Sequence, residues 1–210
     1  KYVPKKYRKE LLNKSVVIPN GLDNFYFLHK NNPKSLTDIK NINLLYVGDI
    51  NKNKNILFTC SAIEKMLQTG YQININVIGK VLDKKIYDTL IEKEYVTYYS
   101  PLDKQKLITF FKQSDIFVMP SITETFGLVY LESMSQGTPV IYTDGQGFSS
   151  FFNEGVVGYS VNLENVDSMV NAIKKTILNY DKISRNCTEF LTEFSWKKIS
   201  EKYNDIYKTR

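Results

Sequence analysis

From residue 43 onward, short apolar runs alternate with amphipathic stretches, and this alternation leaves few folds open to the chain. The runs are 43–47, 73–78, 95–99, 116–119, 140–142 and 158–161. They are rich in Val, Ile and Tyr and are as short as strands usually are. Between them the apolar residues change period. Ile56, Cys60, Ile63 and Leu67 recur every three to four positions, as do Leu107, Ile108 and Phe111. Val166, Met169, Val170, Ile173 and Ile177 form one helical stripe. Parallel strands need a crossover between them, and a helix supplies it, almost always right-handed. The pattern therefore predicts an α/β fold with a doubly wound, parallel, six-stranded, Rossmann-like sheet. In such a sheet ligands bind beyond the carboxyl ends of the strands, near the point where the strand order reverses. The first 40 residues read as a connector with one short strand at Ser15–Pro19, closed by an Asn20-Gly21 turn. Residues 181–210 read as two helices, with Ser195 capping the second ahead of Trp196.

Composition narrows the function classes. Of 210 residues 42% are apolar, yet no stretch approaches the ~20 uninterrupted apolar residues of a membrane span. Lys1-Tyr-Val-Pro-Lys-Lys is not followed by the apolar region of a signal peptide, so a cytoplasmic location is expected. Cys60 and Cys187 are far apart and match no metal-ligand spacing, which suits buried thiols in a reducing compartment. Most of the +6 net charge sits in residues 1–14, where six basic residues face Glu10 alone. A nucleic-acid binder would spread its charge over the folded body, so no nucleic-acid partner is expected. The basic segment reads as a solvated linker. Its functional alternative is peripheral contact with an anionic membrane, where each basic residue contributes ~1 kcal/mol. The one histidine, His29, reads as a surface or packing residue.

The segment richest in chemistry runs from Asp115 to Asp144. It reads as a strand, a polar loop at Ser121–Thr125, a helix from about Phe126-Gly127 to Gln136, and a new strand after Gly137-Thr138-Pro139. A helix would thus begin just past the carboxyl end of a parallel strand. The first amides of a helix have no partner within it, and with the helix dipole they attract anions. Gly127 would let a phosphate or sugar approach the main chain. Glu124 and Glu132 frame this start, and a carboxylate can accept hydrogen bonds from two hydroxyls of a sugar or ribose.

Pro120-Ser121, Glu124, Phe126-Gly127-Leu128, Glu132 and Gly137-Thr138-Pro139-Val140 together resemble the donor-binding signature of glycosyltransferase family four, retaining enzymes of the GT-B fold. Val17-Ile-Pro-Asn-Gly-Leu-Asp23 resembles the start of that family's C-terminal half. Leu45-Tyr-Val-Gly48 with Lys54 resembles its first strand and phosphate loop. Thr143–Gly147, Glu154–Gly158 and Phe194-Ser-Trp196 resemble its later elements. The resemblance implies one half of a GT-B fold with C-terminal helices. Residues 1–40 would be the connector, 41–194 the donor-binding domain, and 195–210 a helix that packs on an N-terminal acceptor domain. It implies a hexosyltransferase acting in glycan, capsule or glycolipid synthesis. Its partners would be a nucleoside diphosphate sugar and that missing acceptor domain, and the chain alone would transfer nothing.

The resemblance also implies roles. Glu124 would be the catalytic carboxylate at the transferred sugar, and Glu132 would bind the ribose. Phe126, Gly127, Leu128 and Val129 would offer amides to sugar and phosphate. Gly48 and Lys54 would serve the diphosphate, with Lys52 replacing the family's arginine, whose place Asp49 takes. No cofactor or metal is expected, since cationic side chains and amides would carry the leaving-group charge. Three rivals remain open: a sugar-nucleotide epimerase, a non-catalytic nucleotide-binding or scaffolding module of the same fold, and a dinucleotide oxidoreductase. The last rests on Gly145-Gln-Gly147 alone.

Overall fold

The strand Asn41–Val47 (β1) carries the sheet, and its neighbours are dictated by what can cover it. The structure, a computed structural model, describes residues 4–208. In chain order the elements after β1 are α3 (Ile56–Leu67), β2 (Gln72–Ile78), α4 (Lys84–Ile91), β3 (Val96–Tyr99), α5 (Lys104–Gln113), β4 (Ile116–Val118), α6 (Leu128–Met134), β5 (Val140–Thr143), β6 (Gly158–Val161), α7 (Val166–Leu178), α8 (Tyr180–Phe190) and α9 (Trp196–Lys208). Two helices precede them, α1 (Lys5–Asn13) and α2 (Asn24–Leu28), and short 3-10 turns span Gly147–Ser150 and Leu191–Phe194. The strand order is β3-β2-β1-β4-β5-β6, with every neighbouring pair parallel. Helices α3 and α7 pack together on one face, while α5, α6 and α8 form the layer on the other. Covered on both sides, β4 and β5 are buried along their whole length, which is why they read as unbroken apolar runs. This is the expected doubly wound α/β sheet, the architecture of half a GT-B fold.

The leading segment departs from expectation in two ways. Ser15–Pro19 is not a strand. Val16 and Val17 are 68% and 76% exposed, and among the described residues no strand offers them a ladder. β-branched residues favour extended backbone, but a strand exists only with a partner. The nearest pairing is a single parallel bridge from Leu22 to Ser195. The expected connector also contains two helices. Pro4 precedes α1, where a Glu10–Lys14 ion pair spans one turn. Asp23 caps α2 by accepting from the Phe25 amide at 2.8 Å. Residues 1–3, where the basic segment begins, and 209–210 lie outside the described residues. Helix α4 was not expected either. It buries only Leu90 and is set by its cap, Asp83, which accepts from the amides of Lys85 and Ile86.

Several local expectations fit. Ser195 accepts from the Lys198 amide at the start of α9. Gly137 ends the α6 turn at φ 69°. His29 is exposed, its ring 4.2 Å from that of Phe25. Cys60 and Cys187 are free and buried, and burial pushes the Cys60 thiol up to about 11.

Lys34 fastens the connector to the sheet layer. Its Nζ lies 3.1, 3.2 and 2.5 Å from the carbonyl oxygens of Phe111, Lys112 and Ser114, and 2.6 Å from Thr138 Oγ1. The carbonyls at the end of α5 have no donor within the helix, so a cation there satisfies them and complements the helix dipole. Lys34→Met should lower stability by about 2 kcal/mol, because partly buried carbonyls lose their donor. Urea denaturation checks this: the midpoint should fall while the slope stays constant.

Candidate functional site

The winding reverses between β1 and β4. Leu44 pairs with Ile116, yet the chain leaves β1 towards α3 on one face and leaves β4 towards α6 on the other. A crevice must open between the two departing loops. It is a cleft of about 340 Å³ lined by Asn20, Val47, Lys54, Met119 and residues 124–129. Val47 and Met119 form its floor at the strand ends.

Each wall has a local cause. Asn55 takes a left-handed conformation at φ 54°, which turns the chain from the β1 loop into α3 directly after Lys54. Asn51 Oδ1 accepts from the Lys54 amide at 3.0 Å. Opposite, Gly127 stands at φ 78° before α6, and a Cβ there would lie 2.5 Å from the Tyr130 ring. Tyr130 is immobilised by donating its hydroxyl to the Met119 carbonyl at 2.7 Å. Gly147, in the loop after β5, is pressed so closely on Thr125 that a Cβ would overlap the Thr125 carbonyl. Its amide donates to the Glu124 carbonyl at 3.1 Å. The Phe126 ring sits 5.3 Å from Phe151 and 6.0 Å from Phe194, which anchors the loop from behind. A second cavity of about 310 Å³ lies among Phe151, Phe152, Phe190 and Phe194. It is mainly apolar and has no strand residue in its lining, so the first cleft is the candidate site.

The cleft's central feature is an ion pair. Lys54 Nζ lies 2.6 Å from Glu124 Oε2, with the side chains only 23% and 12% exposed. Glu124 Oε1 also accepts from the Thr125 amide at 3.1 Å. A partly desolvated cation and anion thus meet beside the main chain that opens α6, where an anionic or hydroxyl-bearing ligand would find both charge types within reach.

The structure brings Lys54, Glu124, Phe126, Gly127, Leu128 and Val129 around this one cleft. Gly48, Lys52 and Glu132 are not among its lining residues. Gly48 lies at the end of β1, its amide bonded to the Ile78 carbonyl. Lys52 is exposed on the same loop as Lys54, as is Asp49. Glu132 lies within α6 and interacts with the hydroxyl of Tyr26 from α2. Burial raises its carboxyl above the usual range; Tyr26 opposes this and Asp23 adds to it. Sequence reasoning did not assign Asn20, Asn53 or Gln146 to the site. Asn20 lines the cleft, and its signals were the Asn-Gly turn and its place in the 17–23 stretch. Asn53 and Gln146 bond to the main chain of residues 122–124, and no local pattern announces that. Among the described residues no group of three or more His, Cys, Asp or Glu could hold a metal ion.

An open parallel sheet with a charged crevice over its reversal point defines a Rossmann-like ligand-binding domain. The sequence pattern described as "Glycosyl transferases group 1" matches residues 29–192. With most of the chain matched, the chain belongs to the group 1 glycosyl transferases. An uncharacterized 41.2 kDa protein in the cps region of Klebsiella pneumoniae is 31% identical over 172 residues, covering 80% of this chain and 46% of that protein. A D-inositol 3-phosphate glycosyltransferase of Arthrobacter sp. (strain FB24) is 29% identical, covering 69% of this chain and 37% of the enzyme. The chain thus spans about half the length, or less, of these relatives. Among solved structures, sucrose-phosphate synthase from Thermosynechococcus elongatus superposes with a TM-score of 0.75 at 21% identity, covering 98% of this chain and 55% of that one. Anabaena HepE in complex with UDP and glucose superposes with a TM-score of 0.73 at 18% identity, covering 93% and 57%.

The Glu132 environment yields a pH prediction. Its folded pKa lies above the unfolded value, so between the two the native state holds the extra proton. The contribution of Glu132 to stability therefore falls as pH rises through that window. Glu132→Gln removes the titration. Its Tm relative to the parent chain should rise between pH 4 and pH 7, which thermal melts in matched buffers will show.

Proposed function

We propose that this chain is the donor-binding half of a retaining glycosyltransferase that moves a hexosyl group from a nucleoside diphosphate sugar to an acceptor. The observation that carries this reading is the Lys54–Glu124 pair, set across a cleft at the sheet's reversal point and beside the opening of α6. Departure of a diphosphate builds negative charge on its distal oxygens. Lys54, with Lys52 from the same loop and the amides of 126–129, would stabilise that charge more as the bond breaks, which is what accelerates a reaction. Gly48 would leave room for the diphosphate at the end of β1. Glu124 would meet the sugar and support a positive anomeric centre. Glu132, already interacting with one hydroxyl in Tyr26, is suited to accept from a ribose hydroxyl. On this reading no metal takes part, because side-chain cations and amides supply the positive charge.

Transfer needs a second domain for the acceptor. Tyr7, Leu11, Leu12, Val16 and Val17 near the start, and Tyr203 and Tyr207 on α9, are exposed. Val16, Ile18, Tyr203, Ile206 and Tyr207 line one shallow hollow. These apolar surfaces suit an acceptor domain better than solvent. Lys6 and Lys9 beside them keep contact with an anionic membrane as the secondary role of this segment. We place the enzyme in the cytoplasm, in glycan, capsule or glycolipid synthesis. Among the described residues no helix is long and apolar enough to cross a membrane.

A thermal-shift panel of nucleoside diphosphates, their sugars and NADH tests the reading. A matching nucleotide at about 100 times its Kd should stabilise the chain by ~2.7 kcal/mol. Lys54→Ala should cut the shift to about half, as a roughly tenfold loss of affinity does, and the chain alone should transfer no sugar. A response to NADH only, or to no nucleotide at all, would sink the proposal.

A further inference from the structure

The opposed charges of the cleft sit on separate loops, and neither loop by itself fixes the distance between them. Lys54 follows β1 and Glu124 follows β4. The side chain of Asn53 joins them. Its Nδ2 donates to the Thr123 carbonyl at 3.0 Å, and its Oδ1 accepts from the Thr123 amide at 3.0 Å. Its own carbonyl accepts from the Ile122 amide at 2.7 Å. An asparagine amide has both a donor and an acceptor, as a peptide group does, so it pairs with Thr123 as a strand neighbour would. Three hydrogen bonds thus connect the residue before Lys54 to the two residues before Glu124. On the other side, Gln146 Oε1 accepts from the Glu124 amide at 3.0 Å, and the Gly147 amide donates to the Glu124 carbonyl. With the main chain held from both sides, side-chain torsions alone decide how carboxylate and ammonium meet.

We propose that Asn53 is a positioning residue of the diphosphate site: it docks the Glu124 loop onto the Lys54 loop, so that the Glu124 carboxylate and a diphosphate compete for one ammonium. The proposal rests on the donor-site reading above. Its logic is exchange. Lys54 leaves the carboxylate for the phosphate oxygens, and the carboxylate is released towards the sugar at the same moment. Substrate without a diphosphate would not release it. Removing the carboxylate should therefore tighten diphosphate binding, and by an amount that depends on Asn53. A residue that merely supported the fold would weaken every variant alike and leave that dependence unchanged.

The test uses the chain itself, with inorganic pyrophosphate and UDP as probes in calorimetry and thermal melts run on the same samples. Lys54→Met should weaken pyrophosphate about tenfold, as loss of a charge-assisted contact does. Glu124→Gln should tighten it about fivefold by removing competitor and repulsion together. In an Asn53→Leu background the Glu124→Gln effect should shrink to less than about twofold. Asn53→Ser, smaller and still polar, repeats the comparison in case Asn53→Leu folds poorly. An equal Glu124→Gln effect in both backgrounds would overturn the role of Asn53 while leaving the donor site intact. If the parent chain binds neither probe and Lys54→Met changes nothing, the donor-site reading fails instead. The melts then judge Asn53 alone: Lys54 and Glu124 should be coupled in Tm in the parent and uncoupled in Asn53→Leu, and persistent coupling overturns the proposal.

Discussion

Parallel neighbours that send their chains to opposite faces of a sheet cannot close the space between those chains, and everything at the candidate site follows from that constraint. β1 and β4 are such neighbours. Their loops rise from adjacent strand ends and diverge towards α3 and α6, leaving a crevice floored by Val47 and Met119. The crevice is useful only because the diverging loops are tied back together above it. The Lys54–Glu124 ion pair, the Asn53 bridge to Thr123 and the contacts of Gln146 and Gly147 with Glu124 do this. An exposed ion pair contributes little to stability, but this one is largely shielded and lies where a ligand would have to displace it. Its value is as a preset arrangement of charge, held by neighbours whose own bonds are to main chain.

The parts of this plan that were legible in the sequence are those with a short-range cause. Buried parallel strands must be apolar throughout, so their runs announced themselves and gave the sheet. Gly127 and Gly137 punctuate α6 because each needs a positive φ, which makes the helix boundaries readable. Lys54, Glu124 and the residues 126–129 stood out through family resemblance, and the fold gathers them around one cleft. Helix α4 was harder to read for an opposite reason. It spans eight residues and buries a single leucine, so its stripe of Ile86, Tyr87 and Leu90 is short and only partly buried. Ser15–Pro19 shows the converse error: a β-branched run has the propensity for a strand, but propensity does not supply the second strand.

The site contacts that escaped sequence reasoning all join residues far apart in the chain. Asn53 meets Thr123 across 70 positions, and Gln146 meets Glu124 across 22. Tyr26 reaches Glu132 from α2, outside the sheet altogether. Each uses a common polar side chain against a main-chain group or a carboxylate. Such pairs leave no period and no spacing, and only the folded loops reveal them.

Lys34 has a practical consequence for dissecting this molecule. A boundary drawn at the first strand, near residue 41, looks natural, because the sheet begins there. It would discard the cation that meets the carbonyls of residues 111–114, along with the tyrosine hydroxyl against Glu132. The segment ahead of β1 is thus a structural part of the unit it precedes. Fusions, truncations and domain exchanges that respect only the sheet would produce a piece with its polar seams open, whereas a cut ahead of α2 keeps them closed.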